Sequence, residues 1–416
     1  MLFRHYASLH KIPQNSGMKK PLLTDSLQPI VSPRALELIQ TLVRMNTVSQ
    51  RSNLELIDFV QAHLAKLGVA SRLTYNADRT KANLFATLGA GKPAGIILSG
   101  HTDTVPWVGQ DWTRDPLSGV LADGRLYGRG SCDMKGFIGM ALAHAELFLQ
   151  ADALPFAVHL ALSYDEELGC LGVRELIADM KDAGIQPVAC IVGEPTSMTP
   201  AIAHKGVYRF ECCVRGKEAH SSLTPQSVNA IEMAAGVVVK LRAMADNFAA
   251  HGPYQSGFDV PFSTASVGQF HGGIADNVVP RDAVFRYEFR NLPGCDADLM
   301  QKEVLNHAAS AQPAMKMIAP DAGFSFTPIC AVPAFSGSAS DAVTKLAQRL
   351  AGSGERTTLV AFGTEAGLFK NAGIPTVVCG PGSIEQAHQP DEYVSLEQLA
   401  QCQAFMHGLA ATFRLG

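Results

Sequence analysis

Short apolar runs alternate with amphipathic stretches along most of this 416-residue chain. Between residues 33 and 200, the apolar runs have the length of buried strands, and the stretches between them repeat apolar residues at helical spacing. Repeated βα units of this kind pack as a largely parallel sheet with helices on both faces. The sequence therefore predicts an α/β fold. The predicted strands cover residues 71–75, 83–88, 95–98, 156–162 and 188–192, and the predicted helices cover residues 34–44, 53–67, 136–150 and 171–183.

A second pattern begins after residue 203. Predicted elements follow in the order β-α-β-β-α-β, which is typical of a ferredoxin-like unit. They cover residues 208–215, 227–250, 263–270, 282–290, 296–311 and 324–326. From residue 333 onward, helix and strand alternate as before, over residues 338–351, 359–361, 376–379 and 395–409.

These two patterns predict the domain organisation. We expect a principal α/β domain built from residues 31–206 and 329–416, with a mixed, largely parallel sheet flanked by helices. A smaller α+β domain of residues 207–328 is expected to be inserted into it. Residues 1–30 differ in texture from the rest and are expected to form an N-terminal extension.

Three predicted strands of the principal domain end in metal-binding side chains. His101-Thr102-Asp103 follows the strand at residues 95–98, Asp165-Glu166-Glu167 follows the strand at 156–162, and Glu194 follows the strand at 188–192. In open α/β sheets, ligands bind beyond the carboxyl ends of the strands. Nitrogen and oxygen ligands from three neighbouring ends suit a hard or borderline divalent cation. The sequence therefore predicts a metal site at this rim.

Composition excludes several other classes of function. A net charge of −4 and an isoelectric point near 6.3 provide no basic field for nucleic acid or for an anionic membrane. No apolar run approaches the roughly 18 residues of a membrane-spanning helix. The nine cysteines are odd in number and scattered, which is typical of reduced thiols in the cytoplasm. Cys132 lies beside the predicted metal site, and we interpret it as a buried bystander.

Each candidate residue also has an ordinary structural interpretation. Asp133 follows a glycine-rich turn and begins a helix, so it is either a helix cap worth about 1 kcal/mol or a carboxylate that bridges two metal ions. Adjacent acids such as Glu166 and Glu167 are usually solvated, but here they follow a buried strand, so Glu167 is predicted as a ligand and Glu166 as a general base. His388, in a polar loop, would by itself be a surface histidine. It is the best remaining ligand for an incomplete metal site.

These residues carry a resemblance to a known family. The segments HTDTVP, GRGSCDMKG, DEELGCLG, GEPT, GKEAHSS and EQAHQPDE resemble those of the co-catalytic zinc amidohydrolases and metallopeptidases, and the similarity covers nearly all of residues 32–416. The resemblance implies two Zn²⁺ ions per subunit, for which Co²⁺ can substitute. One ion would be held by His101, Asp133 and Glu194, and the other by Asp133, Glu167 and His388. It also implies that Glu166 is the general base, that Asp103 lies behind His101, and that the Asp133-Met134 peptide is cis.

The same resemblance gives roles to the inserted domain. It would be a lid and dimerisation domain, and the protein a homodimer. His220 would reach the neighbouring subunit's site to stabilise the tetrahedral intermediate, whereas by itself it would be a turn histidine. Asn277 and Arg290 would hold the carboxylate of the substrate, although an arginine at an exposed strand end otherwise needs no explanation.

Within the family, the resemblance is strongest to the acetylornithine deacetylases. It rests on GQDWTRDP (109–116), GRLYGRGSCDMKGF (124–137), HKGVYRFECCVRGKEAHSS (204–222), FGTEAGLF (362–369) and GPGSIEQAHQPDEYV (380–394). The implied substrate is a small N-acyl amino acid, hydrolysed to acetate and L-ornithine in arginine biosynthesis. Desuccinylases of the family carry an arginine in the loop where this chain has Glu365 and Leu368, so Glu365 is expected either to pair with the ornithine ammonium or to brace its loop. A desuccinylase, a broader N-acyl amino-acid hydrolase or carboxypeptidase, and a non-catalytic binding module remain as alternatives.

Overall fold

The computed structural model describes residues 30–89, 95–149 and 156–412. The predicted N-terminal extension lies outside these residues apart from Ile30. The helices are α1 (Pro33–Arg44), α2 (Leu54–Lys66), α3 (Gly136–Ala143), α4 (Ala145–Leu149), α5 (Gly172–Asp182), α6 (Ala230–His251), α7 (Ala297–Ile318), α8 (Ala342–Ala351), α9 (Ala366–Asn371) and α10 (Leu396–Thr412).

The strands are numbered in the same way. They are β1 (Ser71–Tyr75), β2 (Ala82–Leu88), β3 (Gly95–His101), β4 (Leu121–Ala122), β5 (Arg125–Tyr127), β6 (Ala157–Ser163), β7 (Ala189–Pro195), β8 (Ala201–His204), β9 (Val207–Arg215), β10 (Thr264–Gly272), β11 (Asp282–Arg290), β12 (Gly323–Val332), β13 (Phe335–Ser336), β14 (Thr358–Val360), β15 (Thr376–Gly380) and β16 (Tyr393–Ser395).

A mixed sheet forms the centre of the principal unit, as the alternation of helix and strand predicts. In the described chain its order is β1-β2-β6-β3-β7-β15-β8-β13, and β14 pairs with β8. The neighbours β6, β3, β7 and β15 run parallel, and antiparallel strands flank them on both sides. The carboxyl ends of four central strands therefore meet at one edge of the sheet.

Helices cover both faces of this sheet because its strands are apolar on both faces. In β3, Ile96 and Leu98 pack in the layer that contains α1, α2, α3, α8 and α10, whereas Ile97 packs in the opposite layer with α5 and α9. Side chains of successive strand residues point to opposite faces, so a run such as Gly95–His101 is buried at every position. This burial makes the strand ends a rigid support for the side chains that follow them.

Side-chain contacts with the main chain lie at the start of one predicted helix and at a break in another. The side chain of Ser32 caps α1 by accepting from the amide of Ala35, and Pro33 occupies the first turn, as predicted. The single helix predicted for residues 136–150 is instead divided at His144 into α3 and α4. Nδ1 of His144 lies 2.8 Å from the carbonyl oxygen of Met140. This contact uses one of the carbonyl groups in the last turn of α3.

Residues 207–332 contain a separate four-stranded antiparallel sheet with the order β10-β11-β9-β12. Along the chain its elements follow as β9-α6-β10-β11-α7-β12. Helices α6 and α7 pack on one face through an apolar cluster that includes Val237, Leu241, Val304, Phe285 and Phe289. The last strand is longer than the three residues predicted, because it continues along β9 to Val332.

A small sheet with the order β16-β5-β4 has no counterpart in the predictions. Its strands are two or three residues long, which is too short for a periodic signal. It pairs Tyr393 with Tyr127 and so holds the loop after β15 against the segment that precedes Asp133. In the part of the chain that the structure describes, none of the helices has both the length and the apolar character needed to cross a membrane.

Close packing at the end of β7 gives a test of the fold. A methyl group added at Gly193 would lie 2.1 Å from ring atoms of Phe137, which is only 2% exposed. We expect Gly193→Ala to lower the free energy of unfolding by about 1–3 kcal/mol, measured by denaturant titration, because a buried ring must move. Gly236→Ala is the matched control, since nothing lies within 4 Å of its added methyl and the site is inside α6. That variant should gain about 0.5–1 kcal/mol, and equal losses in both would contradict the packing argument.

Candidate metal centre

The parallel strands β6, β3, β7 and β15 bring the predicted ligands to one edge of the sheet. His101 is the last residue of β3, and Glu194 is the second-last residue of β7. Glu167 follows β6, and His388 lies in the loop after β15. The neighbouring strands thus carry four of the five predicted ligands to the same place.

The fifth predicted ligand, Asp133, comes from the segment Ser131–Lys135, which directly precedes α3 and is kinked where Asp133 and Met134 have non-helical backbone angles. The peptide bond between Asp133 and Met134 is cis, as the family resemblance implies. The side chain of Asp133 is 6% exposed, and its two oxygens face different histidines. Oδ1 lies 2.9 Å from Nε2 of His101, and Oδ2 lies 3.3 Å from Nε2 of His388. Asp133 therefore stands between the two imidazoles rather than serving as a helix cap.

The five side chains form two groups that share Asp133. His101, Asp133 and Glu194 make one group, and Asp133, Glu167 and His388 make the other. Within each group, the potential ligand atoms all lie within 4.8 Å of one another. Nε2 of His101 lies 3.8 Å from Glu194, and Nε2 of His388 lies 3.1 Å from Glu167. These groups have the same members as the two ligand sets that the family resemblance implies.

Burial and like charges shift the protonation of the site strongly. Burial, followed by the charge of Asp133, raises the pKa of Glu194 well above its usual range, and the same two causes raise the pKa of Glu167. Burial opposes the charging of His388, but its bonds to Asp133 and Glu167 prevail and raise its pKa to about 10. Three carboxylates and two imidazoles thus lie close together in a largely buried site.

The donor set fits two divalent cations. Each group offers one imidazole nitrogen and two carboxylates, the nitrogen and oxygen donors that Zn²⁺ and similar borderline ions bind. The ligands in the first group are at most 6% exposed, so a cation there would replace costly like-charge contacts with attractive ones. The shared carboxylate of Asp133 is suited to bridge the two ions.

Asp103 lies next to His101, as the resemblance implies, and contacts the imidazole ring through its main chain. Nδ1 of His101 lies 2.9 Å from the backbone carbonyl oxygen of Asp103, and 3.6 Å from its carboxylate. The carboxylate instead accepts from the amides of Glu166 and Glu167 at 3.1 and 3.3 Å, and from the hydroxyl of Ser49 at 2.6 Å. Asp103 therefore orients His101 through its main chain and fixes the acidic turn through its side chain. Ser49 was not a sequence candidate, since nothing near it marks a site.

Glu166 lies beside the two groups without belonging to either of them. Its Oε1 accepts from the thiol of Cys170 at 3.4 Å. Burial, reinforced by the charges of Glu167 and Asp133 and opposed by His101, raises the pKa of Glu166 well above its usual range. The arrangement leaves the carboxylate of Glu166 available for proton transfer, while Glu167 takes part in the second group.

Glu365 lies below the site, with 1% of its surface exposed. It accepts hydrogen bonds from the hydroxyl of Ser163 and, at 3.1 Å, from that of Ser99. Burial raises the pKa of Glu365 to about 7. Its burial and these two bonds favour the alternative role, in which Glu365 braces its loop against β3 and β6.

The remaining predicted residues make their hydrogen bonds within residues 207–332. His220 is exposed, with Nδ1 2.8 Å from the hydroxyl of Ser222. The carbonyl of Asn277 accepts from the amide of Ser221 at 3.0 Å, and Arg290 pairs with Glu288 at 3.0 Å. The described chain does not bring His220, Asn277 or Arg290 into hydrogen-bond contact with the five clustered ligands.

Cys132 behaves as the predicted bystander. Its side chain is 1% exposed and its thiol donates to the carbonyl oxygen of Ser383 at 3.3 Å. Burial raises the pKa of the Cys132 thiol well above its usual range, which suppresses the thiolate that a nucleophile needs.

Comparisons with known proteins agree with this geometry. The family model "Peptidase family M20/M25/M40" matches residues 97–412. The chain is 35% identical over 385 residues to an acetylornithine deacetylase from Myxococcus xanthus, covering 89% of this chain and 95% of that protein. In structure it is similar to an M20 family metallo-carboxypeptidase from Sulfolobus solfataricus, with a TM-score of 0.74 and 17% identity over 92% of this chain and 100% of the other.

A second solved structure is a dinuclear metal-binding peptidase of the M20 family from Bacillus subtilis. Its TM-score is 0.61, with 18% identity over 91% of this chain and 97% of the other. The family model covers most of the chain, and the relative from Myxococcus xanthus is similar along nearly its whole length. The chain therefore belongs to the peptidase family M20/M25/M40 and is a metal-dependent amidohydrolase.

Proposed function

We propose that the protein hydrolyses the N-acetyl amide of N2-acetyl-L-ornithine to acetate and L-ornithine. The observation that carries the proposal is the pair of ligand groups that share Asp133, with Glu166 beside them. The relative with 35% identity is named an acetylornithine deacetylase, which supports this substrate over others. Reduced thiols support a cytoplasmic location, since all nine cysteines are free.

The residues divide the chemical work. His101, Asp133 and Glu194 would hold one divalent cation, and Asp133, Glu167 and His388 a second, with Zn²⁺ and Co²⁺ both suited to these donors. When bound, such cations polarise a substrate carbonyl and lower the pKa of water. Glu166 accepts a proton from the attacking water while the oxygen of that water bonds to the acetyl carbon. It then delivers that proton to the departing amine nitrogen as the C–N bond breaks.

The inserted unit, residues 207–328, is proposed as the lid and the dimerisation domain. Nδ1 of His220 accepts from the amide of Ser222 at 3.3 Å, so the proton of the neutral ring lies on Nε2 and can be donated. In the proposed homodimer, His220 of the partner subunit stabilises the negative carbonyl oxygen, while Asn277 and Arg290 hold the substrate carboxylate. Strand β10 supports dimerisation, because it forms an edge of the four-stranded sheet and most of its residues are exposed.

A desuccinylase or a broader N-acyl amino-acid hydrolase is the alternative on the same site. The side chain at position 365 is a glutamate and the one at position 368 a leucine, so this loop offers no guanidinium for a substrate with extra carboxylates. A buried carboxylate left unpaired costs roughly 1–3 kcal/mol or more. The missing arginine therefore favours an acetylated monocarboxylic amino acid.

Turnover of three substrates tests the proposed function. We expect metal-reconstituted enzyme to hydrolyse N2-acetyl-L-ornithine with a kcat/KM at least about tenfold higher than for N-succinyl-diaminopimelate, which corresponds to about 1.4 kcal/mol of discrimination. N-acetyl-L-citrulline serves as the matched substrate that keeps the acyl group but lacks the ammonium. Preference for the succinylated diacid would overturn the assignment, and no turnover of any N-acyl amino acid with metal bound would restore the binding-module alternative.

Two substitutions in the acidic turn separate a base from a ligand. Glu166→Gln should keep two metal ions per chain while kcat falls by roughly 10²–10⁴, because general-base catalysis typically contributes that much. Glu167→Gln should weaken binding of the second ion, and activity should recover in excess metal. Metal content by mass spectrometry and steady-state kinetics measure both effects. Equal metal loss in the two variants, with equal recovery, would mean that the division of labour is wrong.

Mixed dimers test whether His220 acts across the subunit interface. His220→Ala should lower kcat by about 10²–10³, the usual effect of losing one oxyanion donor, with metal retained. In a mixture of His220→Ala and Glu166→Gln chains, about half of the dimers are mixed, and each has one site with both groups intact. Activity should therefore recover to about a quarter of the wild-type value. Absence of recovery after verified subunit exchange would show that His220 does not serve the partner's site.

A further inference from the structure

The side chain of Gln110 contacts the main chain of the predicted ligand His388. Its Nε2 donates to the carbonyl oxygen of His388 at 2.8 Å. Its Oε1 accepts from Nη2 of Arg129 at 2.6 Å and from Nε1 of Trp112 at 3.0 Å. Because both of these partners are donors only, the amide can face them only with its oxygen. The NH₂ group of Gln110 is therefore fixed toward the loop that carries His388.

Arg129 continues this chain of contacts to Asp133. Its Nη1 lies 2.6 Å from Oε2 of Glu392, and both side chains are at most 1% exposed. The other oxygen of Glu392 accepts from the amide of Cys132 at 3.0 Å and from the amide of Asp133 at 3.1 Å. Both oxygens of Glu392 therefore accept hydrogen bonds, one from the Arg129 guanidinium and one from main-chain amides, which holds the carboxylate in one orientation. One guanidinium thus connects the main chain of Asp133 to the main chain of His388.

The His388 loop needs such support. The side chain of His388 is 46% exposed, so packing alone does not hold it. His388 and Asp391 both have a positive φ, of 62° and 53°, in the left-handed region that few residues other than glycine adopt. The carboxylate of Asp391 accepts from the amides of Thr113 and Arg114 at 3.0 and 3.1 Å. The segment that begins at Gln110 is therefore the surface on which this loop is fixed.

We propose that Gln110, Arg129 and Glu392 are positioning residues that set the distance between Asp133 and His388, and thereby the affinity of the second ligand group for its cation. The proposal rests on the proposed function only in that Asp133, Glu167 and His388 bind a metal ion. It also gives a role to the segment GQDWTRDP, which the catalytic steps do not use. None of the three residues belongs to either ligand group, so their proposed effect is exerted through the ligands.

Gln110→Met tests the proposal, because it keeps the length of the side chain and adds no charge while it removes the contact to His388. We expect its affinity for Zn²⁺ or Co²⁺ in the second group to fall by about 10–100-fold, the usual effect of losing an outer partner of a metal ligand. Two variant backgrounds show which ligand group loses affinity. His101→Ala impairs the first group, and His388→Ala impairs the second. Isothermal titration with metal should therefore show the loss in the His101→Ala background and not in the His388→Ala background.

Gln61→Met is the matched control. Gln61 lies in α2 and is also partly buried. Its Nε2 donates to the hydroxyl of Ser71 at 3.0 Å. It should bind metal as the unsubstituted chain does, with a similar midpoint of thermal unfolding. The inference is overturned if Gln110→Met titrates like Gln61→Met, or if it weakens the two groups equally.

Failure of the proposed function gives a different result. A chain that binds two ions but hydrolyses no N-acyl amino acid would refute the proposed function, while the titration would still decide the role of Gln110. A chain that binds no divalent cation would overturn both. Glu392→Gln provides a second variant, since it keeps an acceptor for the amides of Cys132 and Asp133 but removes the charge that holds Arg129. It should weaken metal binding in the second group, and wild-type affinity there would count against the proposal.

Discussion

The shared carboxylate of Asp133 is the group on which the site depends. It contacts both imidazoles, and it belongs to both ligand groups. Burial opposes the ionisation of Asp133. The bonds from His101 and His388 nevertheless hold the pKa of Asp133 below its usual range. Placing several carboxylates in a buried site costs several kcal/mol per ion unless positive charge compensates them. Bound cations would supply that positive charge, which is the physical reason to interpret the arrangement as a metal centre.

The sheet supplies the rigidity that such a charge cluster needs. His101 and Glu194 continue strands that are buried over their whole length, so their main chains have little freedom. The second group is different, because Glu167 lies in a turn and His388 in a loop. The turn is fixed by the carboxylate of Asp103, and the loop by contacts to the segment that begins at Gln110. Strand ends thus place His101 and Glu194 directly, whereas hydrogen bonds between side chain and main chain place Glu167 and His388.

The sequence predicts the parts of this site that follow from periodicity. Apolar runs of strand length predict where β3, β6 and β7 end. Side chains that follow these runs take part in the two ligand groups. Periodicity contains no information on contacts between distant segments. The pair Arg129 and Glu392 is 263 residues apart, and Gln110 and His388 are 278 residues apart. The role of Asp103 was also incompletely predicted, because the choice between its carbonyl and its carboxylate depends on where the acidic turn lies.

The separation of the two sheets explains why the proposed mechanism needs a second subunit or a movement. His220 and Asn277 lie next to each other in space, since the segment at His220 pairs with Val278 and the amide of Ser221 bonds to the carbonyl of Asn277. They form one exposed surface on the four-stranded unit, and their hydrogen bonds do not involve the metal ligands. The principal unit holds Glu166, the proposed base, and the five proposed ligands, whereas the proposed donor for the carbonyl oxygen, His220, lies on the four-stranded unit. Catalysis as proposed therefore requires the surface that carries His220 and Asn277 to meet the ligand groups around the substrate. Their meeting would complete the site and exclude bulk water from its charged groups.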